Sequence, residues 1–280
     1  MRVHHLNCAT MCPVGGRLLS GQGSLLDRAT LVCHCLLVET GDGLLLVDTG
    51  LGIADCADPK GRLGGPFVGI TKPRCDPEET AARQVERLGF RRSDVRHVVV
   101  THLDLDHAGG LVDFPDATVH VHEPELDAAL ARLTLPEKNR YRPEQWAHRP
   151  HWARYRASGE PWHGFECVRQ LDGLPPEVLM VPLVGHTRGH AGIAVQGDRG
   201  WLLHAGDAYF FRDEVDPVAP RCTPGLALFQ RLVAIDDEAR RRNRDRLQAL
   251  ARDHGAEVRI VCAHDPVELE RAQAAAREGA

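Results

Sequence analysis

The sequence predicts one α/β domain whose sheets are covered by helices. Three observations predict this class. Short apolar segments alternate with helical segments through both halves of the chain, no linker rich in proline, glycine and serine separates the halves, and 43% of the residues are hydrophobic, enough to fill a core. The length of 280 residues fits one large domain or two small ones, so the alternation favours a single domain over residues 1–280.

The first half of the chain begins with a predicted β-hairpin. Residues 31–39 and 44–48 are apolar runs joined by a Thr-Gly-Asp-Gly turn, and a loop rich in glycine and proline follows. Asp76 is typical of a helix start and Gly89 of a helix stop. The remaining predicted elements of this half are strands at 95–100 and 117–122 and a helix at 123–132.

The second half repeats the alternation of strands and helices. Strands are predicted at 177–184, 191–196, 201–208 and 257–264, with a long charged helix over about 236–253 and a closing helix that begins at Pro266.

Residues 134–165 are predicted to form a helical cap inserted into this pattern. The segment holds three of the four tryptophans and two of the three tyrosines, together with several arginines. These aromatic side chains would either pack on the main body or on the partner in a homodimer, or form a lid that lines a pocket for an apolar part of a substrate. The five aromatic residues are Tyr141, Trp146, Trp152, Tyr155 and Trp162.

The charge pattern excludes several classes of partner. Lysine and arginine number 34 against 39 acidic residues, a net charge of −5, and no polybasic block occurs, so neither nucleic acid nor a membrane surface is an expected partner. No secretory signal and no apolar run of about 18 residues is recognisable, so we expect a cytoplasmic protein. Its nine cysteines form no CxxC pair and are expected to be reduced thiols.

The stretch THLDLDHAGG, residues 101–110, carries four ligand-type side chains directly behind an apolar strand. His102, Asp104 and Asp106 alternate along the chain and can converge, while His107 can reach the same space from the turn. Such closely spaced groups would repel one another or be poorly solvated unless a cation neutralised them, so the motif predicts more than one metal ion. Further candidate ligands end other predicted strands, namely His186, Asp207 and His264.

These ordered motifs resemble those of the metallo-β-lactamase-fold hydrolases, which carry H-x-H-x-D-H, then G-H-T-x-G-H, then Gly-Asp and a late histidine. The resemblance extends from VDTG at 47–50 to His264 and implies a four-layer αββα sandwich with a dinuclear site in a groove along one edge. It implies that Asp48 orients a ligand. By the same resemblance, one ion would be held by His102, Asp104 and His186, the other by Asp106, His107 and His264, with Asp207 bridging both.

Asp104 departs from the family pattern, which usually has histidine at this position. A carboxylate is a harder donor, so iron or manganese becomes more competitive beside zinc, the metal we expect. The related flavodiiron proteins have glutamate there and hold two irons. A diiron redox protein that lacks a fused flavin domain is therefore one alternative function, and a catalytically silent binding protein is another.

The implied reaction is hydrolysis, because two divalent ions can share a hydroxide that attacks a carbonyl while Asp106 accepts and returns a proton. The N-terminal stretch HLNCATMCPVGG resembles the lactonase branch, in which an N-terminal loop and an inserted cap form the pocket. A small-molecule lactone, such as an acyl-homoserine lactone, or a carboxylic ester is the expected substrate. Thioester and phosphodiester hydrolysis are alternatives.

Three further residues have candidate roles near this site. Tyr209 could donate a hydrogen bond to a developing oxyanion, although the lactonase branch has its tyrosine three residues after the bridging aspartate and Tyr209 is only two residues after Asp207. His190 and His204 are expected to be structural or to support the ligands.

Overall fold

A computed structural model describes residues 1–278 and shows two six-stranded sheets with helices on their outer faces. The first sheet has the order β1 to β6, with antiparallel pairs up to β3 and parallel pairs from β3 to β6. Its strands are β1 (Arg2–Met11), β2 (Leu31–Thr40), β3 (Gly43–Val47), β4 (Val95–Val99), β5 (Thr118–His122) and β6 (His151–Tyr155).

The second sheet also has six strands and comes from the later part of the chain. Its order is β12-β11-β10-β9-β8-β7, and only the β11–β12 pair is parallel. Its strands are β7 (Glu160–Trp162), β8 (Phe165–Gln170), β9 (Val178–Pro182), β10 (Ala191–Gly197), β11 (Gly200–His204) and β12 (Val258–Val261).

The described helices connect these strands, except for α11, which follows β12. They are α1 (Gly16–Ser20), α2 (Ile53–Ala57), α3 (Pro59–Leu63), α4 (Gly65–Thr71), α5 (Ala81–Arg87), α6 (Leu105–Ala108), α7 (Glu123–Ala131), α8 (Leu135–Arg140), α9 (Pro224–Val233), α10 (Asp237–His254) and α11 (Pro266–Glu278). Among the described residues, no helix is both long enough and apolar enough to cross a membrane.

The core has three main layers of apolar side chains. Leu36 and Leu45 of the first sheet pack with Met180 and Ile193 of the second, so the two sheets bury their inner faces against each other. A second cluster joins the first sheet to α5 and α7, and a third joins the second sheet to α10. This sequence of layers confirms the predicted α/β class and the αββα sandwich.

The prediction of a helical cap at 134–165 is wrong. Only α8 and a short 3-10 turn at Pro143–Trp146 are helical, and loops connect them to two edge strands, β6 in the first sheet and β7 in the second. Trp152 of β6 pairs with Val119 of β5 and packs against the core cluster under α5 and α7. Trp152, Tyr155 and Trp162 therefore belong to edge strands, whereas Tyr141 and Trp146 lie outside the strands and pack in the same core cluster as Trp152.

Smaller differences concern the ends of the chain and one loop. Residues 2–11 form β1, for which no strand was predicted, and the loop after the first hairpin contains three short helices, α2 to α4. The strand predicted at 201–208 ends at His204, because the chain turns at Gly206, whose φ of 53° suits glycine.

Candidate metal centre

The seven predicted ligands come from four connections at one edge of the two sheets. The loop after β4 supplies four of them, and the other three follow β9, β11 and β12. Asp104 has extended backbone angles and stands just before α6, so Asp106 and His107 lie on the first turn of that helix. The change from extended chain to helix turns all four side chains toward one space.

One group of donor atoms consists of His102, Asp104, His186 and Asp207, whose ligand atoms all lie within 4.8 Å of one another. The Nε2 atom of His186 lies 3.0 Å from Asp104 Oδ2 and 3.3 Å from Asp207 Oδ2. The Nε2 atom of His102 lies 3.4 Å from Asp104 Oδ2. Two imidazoles and two carboxylates at these distances match the donor set of a transition-metal site.

A second group uses the other oxygen of Asp207. Its Oδ1 lies 3.1 Å from His264 Nε2 and 3.3 Å from His107 Nε2. Asp106 Oδ2 approaches His264 Nε2 at 3.8 Å. Each oxygen of the Asp207 carboxylate thus faces a different pair of histidines, as a carboxylate shared by two ions would.

Several of these atoms are buried without a hydrogen-bond partner among the described residues: His102 Nε2, His107 Nε2, Asp104 Oδ1 and Asp207 Oδ1. Buried polar atoms in proteins almost always have partners, because an unpaired one costs about 1–3 kcal/mol. Four unpaired atoms converging on one space are explained if they are ligand atoms, so the residues present fit divalent metal ions.

Supporting hydrogen bonds orient the imidazoles. Asp48 Oδ2 lies 2.9 Å from His107 Nδ1, and the same carboxylate accepts hydrogen bonds from the backbone N–H and hydroxyl of Thr101 at 2.7 Å each. His264 Nδ1 donates to the carbonyl of Val32 at 2.7 Å. With Nδ1 engaged in this way, each ring presents Nε2 to the cluster, which is how metal-binding histidines are usually oriented.

Charge within the cluster shifts several pKa values. Burial alone would raise the pKa of Asp207, but His264, His107 and His186 hold it well below its ordinary value. Burial alone would lower the pKa of His107, but Asp207 and Asp48 raise it well above its ordinary value. Burial lowers the pKa of His186 to about 4. Protons and metal ions therefore compete for part of this cluster.

Arg140, which sequence reasoning missed, lies beside Asp104. Its guanidinium NH1 is 3.3 Å from Asp104 Oδ2 and donates to the carbonyl of His186 at 3.0 Å, while NH2 donates to the carbonyl of Val233. Burial would raise the pKa of Asp104, but Arg140 and His102 hold it well below its ordinary value. The carboxylate in place of the family's histidine therefore comes with a buried counterion.

The structure contradicts the catalytic role predicted for Tyr209. Its side chain is fully buried in the cluster under α10, and its hydroxyl donates to Glu268 at 3.0 Å. The next residue, Phe210, faces the candidate ligands instead, with its ring centroid 4.9 Å from that of His264 and 6.0 Å from that of His186. The position three residues after Asp207 therefore presents an aromatic ring without a hydroxyl donor.

His190 and His204 support the ligands from behind. His190 Nε2 accepts a hydrogen bond from the backbone N–H of Asp207 at 2.9 Å, and its Nδ1 contacts the carbonyl of Leu183 at 2.9 Å. His204 contacts the carbonyl of His34 at 2.7 Å. Both rings are fully buried, which agrees with their expected structural or supporting roles.

Glu125 of α7 is a second residue that sequence reasoning missed. Its Oε1 accepts from the backbone N–H of Leu103 at 2.9 Å, and its Oε2 accepts from that of Gly189 at 3.0 Å. A Cβ atom at Gly189 would lie 2.2 Å from the backbone nitrogen of Glu125, so only glycine allows this approach. A single carboxylate therefore joins the loop of His102 to the loop of His186.

A cavity of about 390 Å³ opens beside His264. Residues 19–31, from α1 to the start of β2, form one side of it, and its lining mixes apolar side chains with charged and polar ones. The stretch HLNCATMCPVGG, which was expected to help form the pocket, is absent from this lining. Residues 134–165 are absent from its lining, so the predicted lid does not form here; Trp162 instead lines a separate cleft with Trp201. The principal lining side chains are Leu19, Leu31, Phe210, Arg212, Leu226 and His264.

Comparison with known proteins gives consistent results. The sequence profile described as "Metallo-beta-lactamase superfamily" matches residues 28–251. A protein of Mycobacterium tuberculosis named as a probable metallo-hydrolase is 45% identical over 271 residues, covering 95% of this chain and 81% of that protein. An N-acyl homoserine lactonase of Bacillus thuringiensis is 28% identical over 210 residues, covering 74% of this chain and 75% of that protein.

The fold is also found among solved structures. An N-acyl homoserine lactone hydrolase, with N-hexanoyl-L-homoserine bound at its catalytic metal centre, superimposes with a TM-score of 0.72 at 21% identity. The match covers 96% of this chain and 95% of that one. At this identity the likeness concerns the fold.

Proposed function

Because the chain belongs to the metallo-beta-lactamase superfamily of metallo-hydrolases, we propose that it is a dinuclear enzyme that hydrolyses a small-molecule lactone or carboxylic ester. The observation that carries this proposal is the Asp207 carboxylate. Its Oδ2 faces His102 and His186, and its Oδ1 faces His107 and His264. A carboxylate placed in this way can be shared by two ions in one site.

The first ion would be held by His102, Asp104 and His186 and the second by Asp106, His107 and His264. Divalent ions bound there supply an activated water and polarise the carbonyl of the substrate. Zinc is the proposed metal, with iron or manganese as alternatives because Asp104 adds a hard oxygen donor.

The protein's own groups would position the substrate and move the proton. Asp106 is the proposed general base and acid because its side chain is the more exposed of the two carboxylates in the second group. The Asp106 side chain is 12% exposed, and that of Asp207 is 5% exposed. One oxygen of Asp106 would face the ion, and the other would accept the proton of the attacking water and return it to the leaving group. No side-chain nucleophile is required.

The cavity beside His264 supports a substrate with an apolar part. Leu19, Leu226 and Phe210 can contact a short acyl chain, and Arg212 lies at the same wall. Relatives named as N-acyl homoserine lactonases act on lactones that combine a polar ring with an acyl chain, so this class is the first to test here. Because Phe210 has no hydroxyl, this chain would lack the tyrosine donor of the lactonase branch.

The test is a metal analysis and an activity screen on the same purified sample. We expect about two divalent ions per chain and turnover of acyl-homoserine lactones or aryl esters, with weaker turnover of thioesters and phosphodiesters. His107→Ala and Asp207→Ala should lose metal and fall to the background rate. His97→Ala is the matched control, because His97 contacts His120 on the neighbouring strand rather than the cluster.

Two results would overturn the proposal. Full turnover by His107→Ala or Asp207→Ala would show that the site is elsewhere. A ferric visible spectrum combined with reductant-driven oxygen uptake and no hydrolysis would favour the diiron redox protein instead.

A further inference from the structure

Cys33 stands beside the second group of ligands although no cysteine was among the predicted ligands. Its side chain is 2% exposed, and its sulfur lies within 4.8 Å of ligand atoms of both Asp106 and His264. The chain has eight other cysteines. Among the described residues, none of these eight lies in a group of candidate metal-ligand atoms.

The backbone fixes the place of this sulfur. The carbonyl of Val32 accepts the Nδ1 hydrogen of His264 at 2.7 Å, and the N–H of His34 donates to the carbonyl of Ala263 at 2.8 Å. Residues on both sides of Cys33 are therefore bonded to the segment that carries His264. Side chains alternate along a strand, so His34 points the other way, where its ring contacts His5 at 2.9 Å.

We propose that the Cys33 sulfur is a donor to the second ion, together with Asp106, His107 and His264. This inference rests on the proposed function, because it assigns one more ligand to the same centre. The sulfur–metal bond forms as the thiol proton leaves to solvent. His264 belongs both to the group of Cys33 and Asp106 and to a group with His107 and Asp207. In that second group, His107 Nε2 and Asp207 Oδ1 are buried without a hydrogen-bond partner among the described residues.

The consequence is that the two metal positions are chemically unequal. The first has two imidazoles and the hard carboxylate of Asp104, and the second gains a soft sulfur. Thiolate ligands select zinc over magnesium, calcium or manganese, whereas carboxylates suit the harder ions. The second position should therefore hold zinc or cobalt strongly, while the first accepts a wider range of metals.

Cobalt substitution tests the sulfur ligand without relying on activity. The metal-free protein is loaded with two equivalents of Co²⁺, and its absorption spectrum is recorded. We expect a sulfur-to-cobalt charge-transfer band in the near ultraviolet, beside the weaker visible bands of the bound ions. Cys33→Ser should lose the charge-transfer band and keep the visible bands.

Cys35→Ser is the matched control. Cys35 lies two residues further along the same strand and on the same face, is equally buried, and packs in a different cluster with Cys8. This variant should keep the band. The inference would be overturned if the charge-transfer band persisted in Cys33→Ser. It would also be overturned if the native protein bound two cobalt ions and showed no such band.

X-ray absorption on the native protein is a second test, which remains possible if Cys33→Ser fails to fold. With two zinc ions bound, the spectrum should contain a sulfur neighbour at about 2.3 Å, at about one sulfur for every two zinc ions. A spectrum with only nitrogen and oxygen neighbours would overturn the sulfur ligand and leave the proposed function standing. Failure of the native protein to bind either metal would overturn the proposed function itself.

Discussion

Asp104 departs from the histidine that is usual at this position in the family, and Arg140 lies beside it. Asp104 replaces a neutral imidazole with a negative charge, and Arg140 places a guanidinium 3.3 Å from its Oδ2. The Arg140 side chain is only 10% exposed, so its charge is poorly solvated and depends on this partner. The two opposite charges therefore balance each other beside the candidate ligands.

The first prediction concerns this balance. Asp104→His should weaken zinc binding by roughly tenfold or more, because it leaves a buried, unpaired Arg140 beside the metal ions. The double variant Asp104→His/Arg140→Gln should recover most of that loss, since glutamine removes the charge and keeps a donor for a backbone carbonyl. Competition with a chromophoric chelator measures the affinity. Native-like zinc affinity in Asp104→His alone would show that Arg140 does not act as the counterion.

The second prediction concerns Glu268 and pH. Burial, with Asp265 nearby, raises the pKa of Glu268 from 4.5 to about 7, although its carboxylate accepts from Cys262 N–H and the Tyr209 hydroxyl. In that range the folded chain holds a proton that the unfolded chain releases. The free energy of unfolding should therefore fall as pH rises from about 4.5 through about 7, by about 3 kcal/mol from this group.

Glu268→Gln should remove this part of the pH dependence, measured by urea unfolding of the metal-free protein across the same range. The matched control is Glu270→Gln, an exposed position on the same helix, which should leave the slope as it is in the native protein. An unchanged slope in Glu268→Gln would contradict the assignment.

At this scale the sequence was enough to name seven candidate ligands but not the residues that contact them. The candidates come from ordered motifs, and the fold brings all seven together. Arg140 and Glu125 are separated in sequence from the groups they contact, and neither has a local pattern that distinguishes it from a surface charge. Tyr209 was predicted from its residue type, but neighbouring residues point in opposite directions, and it is Phe210 that faces the cluster.

At the scale of elements, the segment 134–165 shows what a composition-based prediction misses. Arginines and aromatic residues in an irregular segment suggested a cap, but β6 pairs with β5 and β7 pairs with β8, so part of the segment is strand. Trp152 packs under the helices of the first sheet, and Tyr155 is fully buried between the sheets. Edge-strand pairing depends on distant partners, which local propensity cannot report.

The third prediction concerns α7 as the element that joins two ligand loops. Glu125→Gln should weaken metal binding by roughly 10- to 100-fold, because an amide can accept only one of the two hydrogen bonds from Leu103 and Gly189. Isothermal titration with zinc measures this. The matched control is Glu123→Gln on the same helix, which pairs with Arg154 and Arg156 at the surface and should bind zinc as the native protein does. Equal affinities in the two variants would contradict the role of Glu125.

At the scale of the whole molecule, the cluster joins the two halves of the chain. The first half supplies His102, Asp104, Asp106 and His107, and the second supplies His186, Asp207 and His264. Ions that bind all of them favour the folded state over the unfolded chain, in which the ligands are far apart.

The fourth prediction follows from this arrangement. If the free metal concentration is a thousand times its Kd, removing the metal with a chelator should lower the free energy of unfolding by about 4 kcal/mol. The melting temperature should then fall by on the order of ten degrees. Differential scanning calorimetry measures the shift. Asp207→Asn should melt at the same temperature with and without chelator. A native protein that is indifferent to the chelator would contradict a structural contribution from bound metal.

The overall architecture was largely predictable because alternating apolar strands and helices are local signals that agree with the layered fold. Their assignment to two sheets came only from the resemblance to the metallo-β-lactamase fold, because the sequence of a strand does not identify the strand that pairs with it. β1 escaped prediction because its RVHHLN segment mixes polar and apolar residues without the apolar run that marks the other strands.

The order of the strands has one more consequence. Every strand of one sheet precedes every strand of the other along the chain, and the boundary falls between Tyr155 and Glu160, in an exposed stretch. A cut there would divide the polypeptide into two fragments, each with a complete sheet and part of the ligand set. The two fragments would meet through the apolar faces of the sheets, and metal ions bound by residues of both fragments would strengthen their reassembly.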